Sequence, residues 1–175
     1  MTDCYLSYLP AAHAFEGTLF MISMITGMRA GYFGGNVLKL TEDAAVLQPT
    51  FFPSVPRLFN RIYGKIKDKF AAKTGIGACL IRRALETKMA NLKSTGKVTH
   101  WLWDRLVFNK VKALLGGKVR MMVTGSAPIS GEVLDFLKVC FCCVIPEGYG
   151  LTESNAGTYL TDPDDPESGH VGGPI

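Results

Sequence analysis

The sequence lacks any apolar run approaching the roughly 20 residues that a helix needs to cross a bilayer. Its longest, Leu19 to Met28, is broken by Ser23, Thr26 and Gly27, so no membrane span is expected. It also lacks a charged leader followed by an apolar core and a small-residue cleavage site, and no secretory signal is expected. Acids are scarce in one stretch. Between residues 57 and 120 only Asp68, Glu86 and Asp104 stand against sixteen of the nineteen Lys and Arg, a local balance of +13. The remainder sets Arg29, Lys39 and Lys138 against twelve acids, a balance of −9, so the net +4 conceals a polarised chain. Cysteines number five, and the odd count argues against a disulfide framework. Three of them, Cys140, Cys142 and Cys143, lie in the apolar run Val139 to Ile145, with no nearby His and without the paired spacing of a zinc site. Buried, reduced thiols are expected, which suits an intracellular compartment. There is no internal repeat or low-complexity tract, and 47% hydrophobic with 19% charged residues is the composition of a folded domain.

What is present is a strand and helix rhythm. Tyr5 to Leu9 reads as a short strand stopped by Pro10, and His13 to Ile25 as a largely buried helix ending near Gly27. Arg29 to Phe33 reads as a strand closed by Gly34-Gly35, Leu38 to Leu47 as a helix, and Thr50 to Phe52 as a strand ending before Pro53. From Arg57 the period lengthens. Phe59, Ile62, Ile66 and Phe70 predict a basic amphipathic helix, Ile81, Leu85, Met89 and Leu92 a second, and Trp103, Leu106 or Val107, Val111 and Leu114 a third. Gly75-Ile76-Gly77 and Ser94-Thr95-Gly96 read as the separators. Val119 to Val123 then predicts a buried strand, Ser130 to Val139 a helix, Cys142 to Ile145 a strand, and Thr161 to Ile175 a loop. The expected fold class is α/β, a mostly parallel sheet flanked by helices and interrupted by a basic helical insertion over residues 57–116.

Two segments stand at the carboxyl ends of expected strands, where open α/β sheets bind ligands. They are Thr124-Gly125-Ser126-Ala127-Pro128 and Glu147-Gly148-Tyr149-Gly150-Leu151-Thr152-Glu153. Small residues let backbone amides approach a ligand, and the second segment adds a ring to stack on a base, a hydroxyl for a phosphate and a carboxylate for Mg²⁺. Read locally, Gly148-Tyr149-Gly150 is equally well a tight turn and Glu153 an acid at a helix start. A lone His13 opening an apolar helix is by itself more often a cap or a core residue. Ser126, His13 and Asp135 do not make a hydrolase triad in this context, because Ser126 lacks the Gly-x-Ser-x-Gly elbow.

Tyr149-Gly150-Leu151-Thr152-Glu153 resembles the signature of the adenylate-forming, AMP-binding superfamily. Further segments are similar, in order, to its long-chain fatty acyl-CoA synthetase branch: Tyr8 to Glu16, Leu47 to Thr50, Val55 to Arg61, Trp103 to Leu106, Leu115 to Arg120 and Gly169 to Gly172. The resemblance covers nearly the whole chain. It implies a partial AMP-binding domain over residues 1–175 whose intact enzyme activates long-chain fatty acids with ATP and coenzyme A. It implies that Tyr149 stacks on adenine with Gly148 and Gly150 beside it, that Thr152 meets phosphate, and that Glu153 holds Mg²⁺. It implies that Gly125, Ser126 and Ala127 line the adenine and carboxylate pocket, with His13 near the acyl group. It implies an enzyme at the endoplasmic reticulum, peroxisome or mitochondrial outer membrane.

The same resemblance sets a Lys-bearing phosphate loop before Tyr8 and a C-terminal lid after Ile175, neither of which lies in the 175 residues. The chain alone is therefore expected to be inactive, the alternative being a non-catalytic nucleotide- or acyl-binding remnant. The basic stretch 57–120 reads either as a solvated helical surface or as a contact with anionic membrane or with coenzyme A phosphates. Nucleic acid is not expected, because its aromatics fall on apolar helix faces.

Overall fold

The computed structural model describes residues 3–175. The α/β rhythm takes the form of a four-stranded, wholly parallel sheet of β1 (Cys4–Ser7), β2 (Arg29–Tyr32), β3 (Phe51–Ser54) and β4 (Met121–Thr124), in the order β2-β1-β3-β4. Parallel neighbours need crossovers that return the chain to the same end of the sheet. Helix α1 (Ala14–Thr26) makes the first and α2 (Leu40–Leu47) the second. The third is the long helical block: α3 (Pro56–Ala71), α4 (Gly75–Thr95), then α5 (Trp101–Trp103) continued by a π-helical stretch, Asp104–Phe108, into α6 (Asn109–Lys112). Helix α7 (Gly131–Phe141) follows β4 and packs on α3, α4 and α6.

The sheet's centre holds Tyr5, Leu6, Phe52 and Met122, each at most 1% exposed. Helix α3 starts at Pro56, where a missing N–H costs nothing, and buries Phe59, Ile62 and Ile66 as their spacing predicts. Burying such side chains contributes about 1.5–3 kcal/mol each.

Several expectations are corrected. Strand β3 runs through Pro53 to Ser54, because its pairing with β1 is limited to Tyr5 and Phe51; the proline falls beyond that ladder, where no N–H is required. Helix α4 begins at Gly75 instead of after the Gly75-Ile76-Gly77 separator, and its buried stripe is Ala84, Lys88 and Leu92. In the third basic helix the π-helical turn rotates the apolar set: Phe108 is fully buried and Leu106 is 53% exposed. Cys142 is no strand residue but the left-handed cap of α7 (φ 56°), and the strand read there reduces to two parallel bridges, Met121 with Val144 and Thr124 with Glu147. The thiols of Cys140 and Cys143 are buried, and burial pushes both up, Cys143 to about 12. Helix α1 is not largely buried. It packs only Glu16, Leu19 and Ser23 inward and leaves Met21, Met24 and Ile25 more than 60% exposed, since only one flank of it meets the β1–β2 edge.

Candidate active site

The two bridges beyond β4 set the site. Met122 and Thr124 donate their amides to the carbonyls of Val144 (3.1 Å) and Pro146 (3.0 Å), so residues 144–147 run beside β4 as a rudimentary fifth strand. Both glycine-rich segments therefore leave the sheet side by side at its carboxyl end. Their approach is close: a Cβ on Gly125 would lie 3.1 Å from the Gly148 carbonyl oxygen. Ser126 follows with φ 71°, a left-handed conformation that costs a non-glycine residue on the order of 1–3 kcal/mol and that clusters at ligand sites.

From there the second segment folds back on itself. Strand β5 (Gly148–Tyr149) pairs antiparallel with β6 (Tyr159–Leu160), which pairs with β7 (Gly173–Pro174), a short sheet where loop alone was expected over the last residues. Between β5 and β6 a 3₁₀ turn, Thr152–Ser154, is closed by Leu151 N–H donating to Ser154 Oγ (2.9 Å) and by Ala156 N–H donating to the Leu151 carbonyl (2.9 Å). Gly150 is required here, because a Cβ would sit 2.1 Å from the Ala156 carbonyl oxygen. Thr18 of α1 lies with its hydroxyl 3.0 Å from the Asn155 carbonyl and anchors the turn to the helix start.

That helix start carries His13. Its Nδ1 accepts from the Phe15 amide (3.2 Å), so the cap expected on composition alone is real. With Nδ1 an acceptor, the neutral ring carries its proton on Nε2. The side chain nonetheless lines a cleft of about 400 Å³ together with Gly125, Ser126, Gly148, Gly150, Thr152 and Glu153. Cap and cleft residue are thus one and the same. Glu153 is the only acid among the residues lining this cleft.

Tyr149 and Ala127 do not line it. They belong to a second cleft of about 600 Å³, with Pro128, Glu147, His170 and Val171, which shares Ser126, Gly148, Gly150 and Leu151 with the first. The strand from Gly148 to Gly150 is a wall between two chambers, one presenting a half-exposed aromatic ring and the other a carboxylate, a hydroxyl and an imidazole. Asp135 reaches neither cleft and instead accepts from Ser168 Oγ (2.7 Å), so Ser126, His13 and Asp135 form no triad.

The second chamber contains a residue that sequence reasoning passed over. Glu147 is 8% exposed, and its Oε2 has no hydrogen-bond partner. Burial pushes its carboxyl up, partly offset by the nearby His170. Its backbone is held by Thr161: the Glu147 amide donates to the Thr161 hydroxyl (3.3 Å), which has the Glu147 carbonyl (3.0 Å) and the His170 carbonyl (2.8 Å) as alternative acceptors. A buried acceptor without a donor is costly unless a ligand supplies one. At the edge of the first chamber Thr124 Oγ1 is likewise buried and unpartnered. In the sequence neither residue differs from an ordinary strand-end polar residue.

An open parallel sheet with glycine-lined chambers at its carboxyl end is the architecture of a nucleotide-binding α/β protein. The chain belongs to the AMP-binding enzyme family, whose model matches residues 1–175. Within that family it is 45% identical over 173 residues to long-chain-fatty-acid–CoA ligase 1 from Homo sapiens, across 99% of this chain and 24% of the relative. It is 43% identical to peroxisomal long chain acyl-CoA synthetase 7 from Arabidopsis thaliana, across 99% of this chain and 25% of the relative. The chain thus spans about a quarter of the length of the curated relatives it matches. Its fold is shared with the adenylation domain of a carboxylate reductase from Mycobacterium chelonae, at a TM-score of 0.69 and 20% identity over 91% of this chain and 22% of that one.

Proposed function

We propose that these residues provide the adenine and carboxylate chambers of an enzyme that activates long-chain fatty acids to acyl-CoA through an acyl adenylate. The observation that carries this reading is the division of the site by residues Gly148 to Gly150 into an aromatic chamber and a polar one. The reaction needs that division. A fatty acid carboxylate attacks the α-phosphorus of ATP and expels pyrophosphate; the coenzyme A thiolate then attacks the acyl carbon and expels AMP. The nucleotide's base and the acyl carboxylate must meet at the α-phosphate from opposite sides.

In this reading Tyr149 stacks on adenine against the Ala127-Pro128 backbone, and the free Oε2 of Glu147 accepts from the exocyclic amine. Thr152 donates its hydroxyl to the phosphate. Gly125 and Ser126 expose backbone to the carboxylate, and the Nε2–H of His13 orients the acyl end. Glu153 is a single carboxylate beside a hydroxyl, and the described residues contain no cluster of three His, Cys, Asp or Glu able to hold a metal. That donor set fits Mg²⁺, which is usually bound through one or two carboxylates together with substrate phosphates. When bound, Mg²⁺ supplies neutralisation of the charge gathering on the departing pyrophosphate. The basic stretch 57–120 is further proposed to meet an anionic membrane surface, at an organelle such as the peroxisome, the endoplasmic reticulum or the mitochondrial outer membrane. Among the described residues no helix is long and apolar enough to cross a membrane.

The test is AMP binding followed by NMR of the full chain. AMP is expected to shift the Tyr149 ring signals, and Tyr149→Ala to weaken binding roughly tenfold or more, since stacking on an aromatic ring is worth about 1–3 kcal/mol per base. Glu153→Gln is expected to leave AMP binding intact while removing the Mg²⁺ dependence of ATP binding. AMP that binds equally well without the Tyr149 ring would sink the reading.

A further inference from the structure

We propose that the basic helical block contains a second lipid site, a groove that takes the alkyl chain of a long-chain fatty acid anion and holds its carboxylate with Lys69, Lys73 and Lys110. The groove lies between α3, α4 and the Leu106–Leu114 segment and has a volume of about 700 Å³, larger than either chamber of the active site and within the range of small-molecule sites. It shares no lining residue with those chambers. Ile66, on its floor, lies ten residues past Pro56, roughly 15 Å along α3 from the end that meets the sheet.

The lining is chemically simple. Every residue is apolar or glycine except three lysines, and none is acidic. Ile66 and Val111 form a buried floor, whereas Leu80 (43% exposed) and Leu106 (53% exposed) stand at the mouth with apolar surface in water. Unbranched hydrocarbon laid between them would remove that surface from solvent.

Charge selects the head group. Lys69 and Lys73 are one helical turn apart, a like-charge spacing that is mildly destabilising on its own, and Lys110 faces them from α6. An anion between the walls relieves that repulsion. Phe70, the single aromatic ring lining the groove, packs edge-on against Phe136 at 6.3 Å and is not free to stack on a base. A simple carboxylate amphiphile is therefore favoured over a nucleotide-bearing thioester. Nothing in this inference depends on nucleotide binding or catalysis at the other site.

Photocrosslinking with palmitate carrying a diazirine near its methyl end, applied to the full chain below the micellar concentration and followed by peptide mapping, tests it. Crosslinks are expected in α4 and in the Leu106–Leu114 segment. They are expected to fall about tenfold in the triple variant Lys69→Glu/Lys73→Glu/Lys110→Glu, as three exposed charge contacts would give. Leu106→Trp fills the mouth from an exposed position and is expected to lower them as well, with circular dichroism confirming that both variants fold. Crosslinks at Phe15 or Leu151 report the active-site cleft and should survive in both variants. Labelling confined to the cleft, or groove labelling that persists in the triple variant or is equalled by the corresponding alcohol probe, overturns the proposal. Loss of AMP binding with groove labelling retained would count against the ligase reading alone.

Discussion

At the scale of single residues the site is defined by polar atoms left without partners and by glycines that nothing else can replace. Glu147 illustrates the first. Its folded carboxyl is raised above the ordinary value of 4.5, chiefly by burial. A raised folded value means that its contribution to stability is fully present below 4.5, where the group is protonated folded or unfolded. That contribution is lost as pH rises through the raised value, because the buried site disfavours the charged form. Glu147→Gln is therefore expected to raise the thermal midpoint at pH 7 by a few degrees, with the gain shrinking towards pH 4; calorimetry across that range checks it. A midpoint unchanged at pH 7 would mean that a donor already satisfies Oε2. Tyr149, Thr152 and Glu153 were legible in the sequence because the chemistry of ring, hydroxyl and carboxylate is carried by residue type. Glu147 was not, since a glutamate at a strand end is ordinary until burial and a missing partner single it out.

At the scale of elements the buried cation of α4 organises the helical block. Lys88 is fully buried and donates to Asp104 Oδ1 (2.5 Å), to the Val139 carbonyl (2.8 Å) and to Cys142 Sγ (3.1 Å), while its ammonium lies 4.4 Å from the centre of the Phe108 ring. Asp104 in turn accepts from the His100 amide (2.8 Å). One side chain thereby ties α4, the π-helical turn and the end of α7, and satisfies a carbonyl orphaned where α7 stops. Lys88→Met leaves Asp104 and that carbonyl without their partner, and is expected to destabilise by about 3–5 kcal/mol. The double variant Lys88→Met/Asp104→Leu is expected to recover much of that loss, which denaturant titration of both would show. The helical periods of this block were legible from Phe59, Ile62 and Ile66. Lys88 read as one more surface charge, because a period marks where apolar side chains fall and says nothing of a cation whose partners come from 16 and 51 residues away.

At the scale of the whole molecule two asymmetries stand out: the basic helical block against the acidic remainder, and the exposed apolar flank of α1. Met21, Met24 and Ile25 lie on that flank, with Tyr32 (74% exposed) on the outermost strand β2. Exposed apolar surface of this extent is characteristic of a contact face or of aggregation. Met24→Lys/Ile25→Lys is expected to reduce binding of a hydrophobic dye and concentration-dependent aggregation, while changing stability by no more than about 0.5 kcal/mol per site. Dye fluorescence and light scattering at matched concentrations measure it, and aggregation that is unchanged would place the sticky surface elsewhere.

By itself the sequence determined the α/β class, the basic block, and the residues Gly125 to Ala127, Gly148 to Glu153 and His13, because periodicity and side-chain chemistry are local properties. Tertiary structure alone decided how those residues divide. The bridges of Val144 and Glu147 onto β4 bring two segments more than twenty residues apart to one sheet end, and the fold-back at Gly150 turns their strand into a wall. Tyr149 faces one chamber and Glu153 the other for that reason. The apolar groove behind Lys69, Lys73 and Lys110 is likewise an outcome of packing, because its walls come from three helices that share no local signal.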